Sequence, residues 1–486
     1  MTEQKETYIE DSSIFNELSE YLRKIASIED SYLVGGFLRD LVIGRKLKRE
    51  LDIVIPIESD LFARAFADEI GGSYFPLEKE NGVFCVVKGS GKAAWRFDFS
   101  RMRGKEIVED LHCRDFTINA LAVNVSDIII NPERLEIIDP LGGISDIQSK
   151  IIKVLSERSF IDDPIRLIRG VRFSALLRFD ISNDTLELIR RNSVLLNRVS
   201  FERIRDELVL IFSVPSSSRY IEMLDDLGLL GQVIPEIMRL KDQIIVSGED
   251  LMLWDHSIKT LRFAEKILDN LVWPFDIAKD EISGHLSREL EYGVPRQIAL
   301  KLSSLLHDIG KPDTFSTGKD GAIHFIGHQS LGAKMNLEIT QRLRFGTEAQ
   351  RYIERLTENH LRPLLLAHEK IVTHRAVYRF FRDTTEDGLS ILIMALADAE
   401  SKKYLTEGIP AIDKVKETIA RMLSIYLSIA EKDKERPFVT GHDLINLFGL
   451  KPGPIFKEIL ADLREKQILG TLKSREDAIE YLKKQM

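Results

Sequence analysis

The chain has 486 residues, too many for one hydrophobic core, so several domains are expected. Its 44% hydrophobic and 30% charged residues, with no apolar run of membrane-spanning length, exclude a disordered chain and a helical membrane span. A formal net charge of −9 excludes nucleic-acid binding by bulk charge, so basic clusters such as "GRKLKR" (44–49), "RFSALLRF" and "RLRFGTEAQRYIERL" would have to supply it.

The opening "MTEQKETYIEDSS" lacks the basic and apolar regions of a signal peptide, which makes the cytoplasm the expected compartment. From about residue 31 to 125, β-branched stretches alternate with helical patterns: "YLVGG", "LDIVIP", "GVFCVVKG", "AWRFDFS" and "ALAVNV". This predicts a mixed α/β head. The two cysteines, Cys85 and Cys113, are too few for a disulfide framework or a cysteine-based zinc site within the chain. Beyond about residue 155, apolar residues recur at three and four in "DDPIRLIRGVRFSALLRF", "DTLELIRRNSVLLNRV" and "RIRDELVLIFS", which predicts an almost wholly helical remainder. Pro, Gly, Ser or charge runs break that period near 213–219, 271–284 and 431–441.

In "LVGGFLRD", Gly35 and Gly36 close a strand and open a helix, a turn that lets backbone N–H groups approach an anion. A tight turn would use the same glycines, so the following strand decides. There Glu50 and Asp52 alternate with Leu51 and Ile53. Residues two apart share a strand face at roughly 6–7 Å, so the two carboxylates can converge on metal ions. Asp98, between Phe97 and Phe99 in "WRFDFSR", offers a third. Two Mg²⁺ ions held about 3.5–4 Å apart can activate a hydroxyl nucleophile and steady a leaving pyrophosphate.

Gly-Gly, thirteen residues, then acid-apolar-acid-apolar resembles the signature of the polymerase-β-like nucleotidyltransferases. "GGFLRD", with Arg39 and Asp40, resembles the class II tRNA nucleotidyltransferase and bacterial poly(A) polymerase branch. "DLHCRDFTINALA" (110–122), "IDPLGGISDI" (138–147) and "FIDDPIRLIRGVRFSALLRF" (160–179) match, in order, three further blocks of that family. The chain departs twice: Glu50 stands where Asp is usual, and Cys113 where an Arg is usual, leaving Arg114 as the charge for the triphosphate. The resemblance implies Gly35, Gly36, Arg39 and Asp40 at the nucleotide, with Asp115 and Asn119 near its ribose. It implies an enzyme that uses Glu50, Asp52 and Asp98 with Mg²⁺ to move nucleotidyl groups from CTP or ATP to a tRNA 3′ hydroxyl.

Asp163 and Arg166, three apart on an expected helix, face the same way. Cytosine and adenine present an exocyclic amine beside a ring-nitrogen acceptor, which suits one acidic and one basic side chain; uracil and guanine would strand polar groups. By resemblance this pair reads the incoming nucleotide, with Asp162 in the place of the family's Glu, and no nucleic-acid template is needed. CCA, CC and A alone are all products of the family. The eight residues "MRGKEIVE" between Arg101 and Asp110 resemble the shortened flexible loop of the CC-adding type.

His256, His307, His324, His328 and His360 fall within about 105 residues. His307-Asp308 before Ile309-Gly310-Lys311, with His256 upstream and Asp398 downstream, resembles the HD phosphohydrolase superfamily, whose ligands hold a divalent metal on helices. Imidazole with carboxylate suits a transition metal and tolerates Mg²⁺. His328 and His360 extend the set toward a second ion. A second activity on 2′,3′-cyclic phosphates or nucleotides is implied, with an idle helical scaffold as the alternative.

The last segment, with "GHDL" and "GLKPGP", resembles the C-terminal helical module of bacterial tRNA nucleotidyltransferases, with Thr440 and Gly449 at capping positions. The expected fold class is therefore multidomain α/β plus all-α: a nucleotidyltransferase head over 1–155, a nucleotide- and RNA-binding helical neck over 156–245, an HD domain over 246–430 and a tRNA-binding tail over 431–486. Expected partners are tRNA, CTP and ATP, with no membrane; oligomeric state is left open. Two alternatives stand: a poly(A) polymerase, disfavoured by the acidic chain and intact His-Asp set, and an RNA-binding HD protein with a degenerate head, supported by Glu50 and Cys113.

Overall fold

The structure is a computed structural model that describes residues 4–8, 12–78, 82–242, 244–246, 249–251, 253–290, 293–319, 321, 323–402, 411–432 and 435–485. The charged break expected at 431–441 includes 433 and 434, which lie outside the described residues. The chain divides into two compact units, residues 1–211 with 223–233, and 212–222 with 234–486. Among the described residues no helix is long and apolar enough to cross a membrane.

The first unit is built on one mixed sheet of eight strands: β1 (Gln4–Tyr8), β2 (Tyr32–Val34), β3 (Glu50–Ile55), β4 (Ser73–Glu78), β5 (Val83–Lys88), β6 (Trp95–Arg101), β7 (Ala122–Asn124) and β8 (Arg134–Ile138), in the order β1-β8-β7-β2-β3-β6-β5-β4. Only β3 and β6 pair in parallel; the other neighbours are antiparallel. The five stretches read as strands from the sequence are β2, β3, β5, β6 and β7, and β1, β4 and β8 extend the sheet.

Strand side chains alternate between faces, and that alternation positions the site. Leu51, Ile53, Phe97 and Phe99 are buried on one face. There the helix Ser59–Ile70 sets the Phe66 ring edge-on at 5.3 Å from Phe97 and 5.1 Å from Phe99. Slipping the register by one residue would expose these four side chains and cost on the order of 8 kcal/mol, at about 2 kcal/mol each. The lock on the apolar face therefore fixes Glu50, Asp52 and Asp98 on the other.

Three expectations are corrected. The helix expected across 160–179 is two helices, Glu157–Asp162 and Arg166–Leu177. Pro164 disfavours helical backbone at the residue before it, and Asp163 sits at φ −145°, ψ 92°. The "MRGKEIVE" stretch is not wholly loop, because Ile107–Leu111 is helical. The largely helical remainder also holds short strand pairs, such as Ile244–Val246 with Glu249–Leu251 and Ser316–Thr317 with Ile323–His324.

In the second unit the C-terminal segment has its own apolar cluster of Val439, Leu444, Leu463, Leu472, Ala478 and Leu482. Its helix Gly441–Phe448 starts on a capping box between Thr440 and Asp443 and ends at Gly449, whose φ of 65° suits glycine.

Candidate active site and metal centre

In the head, β2 ends at Val34, Gly35 turns at φ 74°, and the helix Gly36–Ile43 begins at the next residue. A Cβ on Gly35 would stand 3.0 Å from Asp52 Oδ2 and 3.4 Å from the Arg114 guanidinium. Glycine is thus required both for the backbone angle and for the close approach of an acid and a base. The registers then build a row across the sheet: Val34 opposite Asp52, Asp52 opposite Asp98, and Asp98 opposite Cys85. In the adjacent row Glu50 stands opposite Arg96.

Arg96 donates from Nε to Asp98 Oδ1 at 2.9 Å, its Nη2 lies 2.8 Å from Asp98 Oδ2, and its Nη1 lies 3.3 Å from Glu50 Oε1. Burial pushes the Asp52 carboxyl up to about 6; Arg114 pulls it down, and the Asp98 and Glu50 carboxylates push it up again. A carboxylate so held gains most from a cation close by.

The three acids face a cleft of about 420 Å³ whose lining includes Arg39, Arg114, Arg166, Arg169, Arg172 and Phe173. A polar chain orients this wall. Arg39 donates to Asp40 at 2.9 Å and to Asn119 Oδ1 at 2.8 Å, and Asn119 donates to Asp115 Oδ1 at 2.9 Å. Asp115 also faces Arg169 at 2.8 Å; burial works against its charge, but Arg169 and the Asn119 hydrogen bond hold its pKa below the usual carboxylate value.

Of the residues singled out from sequence, Gly35, Gly36, Arg39, Asp40, Glu50, Asp52, Asp98, Arg114, Asp115, Asn119 and Arg166 line this cleft. Asp162 and Asp163 are not in that lining, and Asp163 is held elsewhere. Its two oxygens accept from Arg203 at 3.0 Å each, while Arg166 Nε stands 3.8 Å away. Arg166 instead donates to the carbonyls of Cys113 at 3.1 Å and Arg114 at 3.2 Å. The expectation that Asp163 and Arg166 share one helix face is therefore replaced by a pair split across the Pro164 break. Sequence reasoning missed Arg169 and Arg172, although arginines every third residue from Arg166 mark one helical face.

In the second unit, His256 comes from the helix Leu253–Asp269 and Asp398 from Gly388–Ser401. His307 and Asp308 follow the helix Arg296–Leu306, His328 opens His328–Arg342, and His360 follows Thr347–Asn359. All six are buried. The chain can turn inward after Asp308 because Gly310 carries no side chain; a Cβ there would lie 2.5 Å from the His328 carbonyl oxygen. His324 is exposed and stays outside the cluster.

Hydrogen bonding fixes the imidazoles. Nδ1 of His307, His328 and His360 bonds to the carbonyls of Ser304, Phe325 and Thr357 at 2.9, 2.7 and 2.7 Å. The Ser401 hydroxyl donates to the Asp398 carbonyl, so it accepts from His256 Nδ1, 2.8 Å away. Each Nδ1 is a donor, so each Nε2 presents a lone pair inward in the neutral ring.

Those lone pairs meet carboxylate oxygens. Asp308 Oδ2 lies 3.1 Å from His256 Nε2 and 3.2 Å from His307 Nε2, and Asp398 Oδ1 lies 3.1 Å from His256 Nε2. On its other side, Asp308 Oδ1 faces His328 Nε2 at 3.4 Å and His360 Nε2 at 3.8 Å. These last three atoms are buried with no hydrogen-bond partner. Acceptors facing acceptors in a buried space fit cations, and two groups share Asp308: His256, His307, Asp308 and Asp398, and Asp308, His328 and His360. Lys311 pairs with Asp308, and Lys402 lies 2.6 Å from Asp398.

Acids paired across parallel strands, a glycine turn into a helix and an arginine wall define a nucleotidyltransferase head; the second cluster defines an HD metal centre. Models described as Poly A polymerase head domain, HD domain and tRNA nucleotidyltransferase domain 2 match residues 31–153, 253–402 and 346–482. A CC-adding tRNA nucleotidyltransferase of Geobacter sulfurreducens is 30% identical over 93% of this chain and 91% of its own length. An A-adding tRNA nucleotidyltransferase of Deinococcus radiodurans is 28% identical over 93% of this chain and 94% of its own. The Thermotoga maritima CCA-adding enzyme, solved with tRNA, shares the fold at a TM-score of 0.64 and 20% identity, with 100% of both chains covered.

The chain belongs to the tRNA nucleotidyltransferase family and is an enzyme of that family. Its two component families use divalent metals.

Proposed function

We propose that this enzyme adds C, A or both, with CC as the favoured product, to tRNA 3′ ends from CTP or ATP without a nucleic-acid template. The observation that carries the reading is the placement of Glu50, Asp52 and Asp98 on one sheet face, at the foot of an arginine-lined cleft that opens beside Gly35. Support for CC comes from the activity named for the Geobacter sulfurreducens relative. The few residues between β6 and Asp110 point the same way.

Glu50 and Asp52 would hold Mg²⁺, with Asp98 completing the set. When bound, such cations supply the charge that activates a 3′ hydroxyl and steadies the leaving pyrophosphate. Gly35 and Gly36 bring backbone N–H groups to the triphosphate, and Arg39, Arg114 and Arg169 face its negative charge. Asp115 and Asn119 stand at the ribose, and Arg166 with Asp163 reads the base. For Asp163 to reach a base, its contact with Arg203 must open, so Arg203 is part of the reading device.

The working divisions are a head to residue 155, a neck to 245, an HD domain to 430 and a tRNA-gripping tail. At the HD centre, His256, His307, Asp308 and Asp398 would hold one divalent ion and Asp308, His328 and His360 a second. Histidine-rich ligation favours a transition metal. Such a centre suits hydrolysis of 2′,3′-cyclic phosphates.

The test uses tRNA lacking its CCA end, ending in one C and ending in CC, each with a single nucleotide and Mg²⁺. Two C residues on the first, one on the second and none on the third are expected. A-only addition to the CC-ended tRNA would overturn the CC assignment, and no incorporation at all would overturn transfer.

A further inference from the structure

Position 50 carries glutamate where the acid-apolar-acid strand usually begins with aspartate, and the structure shows what the longer side chain reaches. Glu50 stands directly opposite Arg96 in the parallel β3–β6 ladder, on the site face of the sheet. Arg96 is not a loose surface base. The Nε–Nη2 edge of its guanidinium is spent on both oxygens of Asp98, at 2.9 and 2.8 Å, a fork-to-fork contact that fixes the plane of the group. On the next strand Asp98 stands opposite Cys85, which is fully buried.

The remaining edge, Nη1, lies 3.3 Å from Glu50 Oε1. The Glu50 side chain is 41% exposed, so without this contact its carboxylate would sample several rotamers in water. An ion pair through one oxygen leaves the second for a cation. An aspartate at this position, about 1.5 Å shorter by one C–C bond, would withdraw the carboxylate beyond ion-pair reach of Arg96.

We infer that Arg96 is a positioning residue that aims Glu50 at its metal ion, and that the Asp98–Arg96 pair is what lets glutamate serve at position 50. This rests on the metal-binding reading of the head given above. Asp98 thus acts on the reaction at least partly through Arg96. The competing explanation is that Arg96 only neutralises a buried Asp98, in which case it matters to folding and not to the ion.

The experiment is a double-mutant cycle on the full chain carrying Asp308→Asn, which removes the ligand shared by both HD groups. Mn²⁺ affinity is read from the electron paramagnetic resonance of the free ion, and thermal midpoints are recorded in parallel. Glu50→Asp and Arg96→Gln are each expected to weaken Mn²⁺ binding about tenfold, and the double variant no more than either alone, since each single change breaks the same contact. Arg96→Lys, which keeps the charge without the fork, should fall between. Additive losses would overturn the inference. So would an unchanged or tighter affinity in Arg96→Gln, with or without a lower midpoint. Asp52→Asn is the control for the underlying reading: if it binds Mn²⁺ as tightly as its parent, the head site itself has been misassigned, whatever the cycle shows.

Discussion

The head and the HD centre both gather acceptors for cations, and they differ in what balances that charge when no cation is near. In the head, arginines do it: Arg96 holds Glu50 and Asp98, and Arg114 lowers Asp52, along a cleft open to solvent. In the HD centre, Asp308 and Asp398 lie fully buried among imidazoles with fixed tautomers, paired with Lys311 and Lys402. With no cation near, burial lowers the His307 pKa but Asp308 more than offsets this and raises it to about 9, so that ring is then an imidazolium; together with Lys311 it overcomes the upward push of burial on Asp308, as Lys402 and His256 do on Asp398, and both carboxyls are held well below the usual range. An open acid-arginine site should exchange its ions with substrate, whereas a sealed histidine site should keep them. Metal analysis after gel filtration should find ions retained in proportion to intact HD ligands and none attributable to Glu50 and Asp52.

The largest break in this comparison is Asp52→Asn. Removing the central acid of the row should lower nucleotide incorporation by at least about a thousandfold, the scale of losing a main electrostatic element of a transition state. The metal carried by the HD centre should be unaffected. Loss of that metal would mean that the two sites are not independent.

Next in size is the effect of dividing the HD centre. Asp308→Asn removes the ligand common to both groups and should strip all retained metal, together with any hydrolysis of 2′,3′-cyclic nucleotides. His360→Ala touches only the second group and should halve the retained metal. Equal losses in both variants would point to a single shared ion.

The same contrast explains how much of the molecule was legible beforehand. Glu50, Asp52 and Asp98 could be assigned to one face because strand alternation is local, with buried Leu51, Ile53, Phe97 and Phe99 marking the opposite face. The HD cluster was legible because adjacent His307 and Asp308 and the glycine after them form a compact pattern. Three features were not. β1 and β4, "QKETY" and "SYFPLE", carry too little apolar alternation to announce strands. The grip of Arg203 on Asp163 joins residues forty apart, which no spacing rule reaches. The Pro164 break was visible, but the apolar recurrence through "DDPIRLIRGVRFSALLRF" argued for one continuous helix, and the proline's constraint on Asp163 wins over that periodicity.

The smallest effect separates stability from function at Asp52. Its carboxyl has a folded pKa raised from 3.8 to about 6, so the folded chain holds this proton more tightly than the unfolded one. Without divalent ions, the stability associated with this group is fully present below about pH 4, is lost as pH rises through about 6, and is level above that. The penalty at pH 7, discounted for water at the cleft mouth, is about 2 kcal/mol. Asp52→Asn in EDTA at pH 7 should therefore melt roughly 5 °C higher than the natural chain, with the difference vanishing near pH 4. Mg²⁺ should reverse the order, because only the ionised carboxylate binds it and gains its stabilisation by mass action. Differential scanning calorimetry at pH 4 and 7, with EDTA or Mg²⁺, reads all four conditions. A variant less stable than the natural chain in EDTA at pH 7 would show that Arg114 and Arg169 already compensate Asp52 in full, and that the head needs no ion to settle its charge.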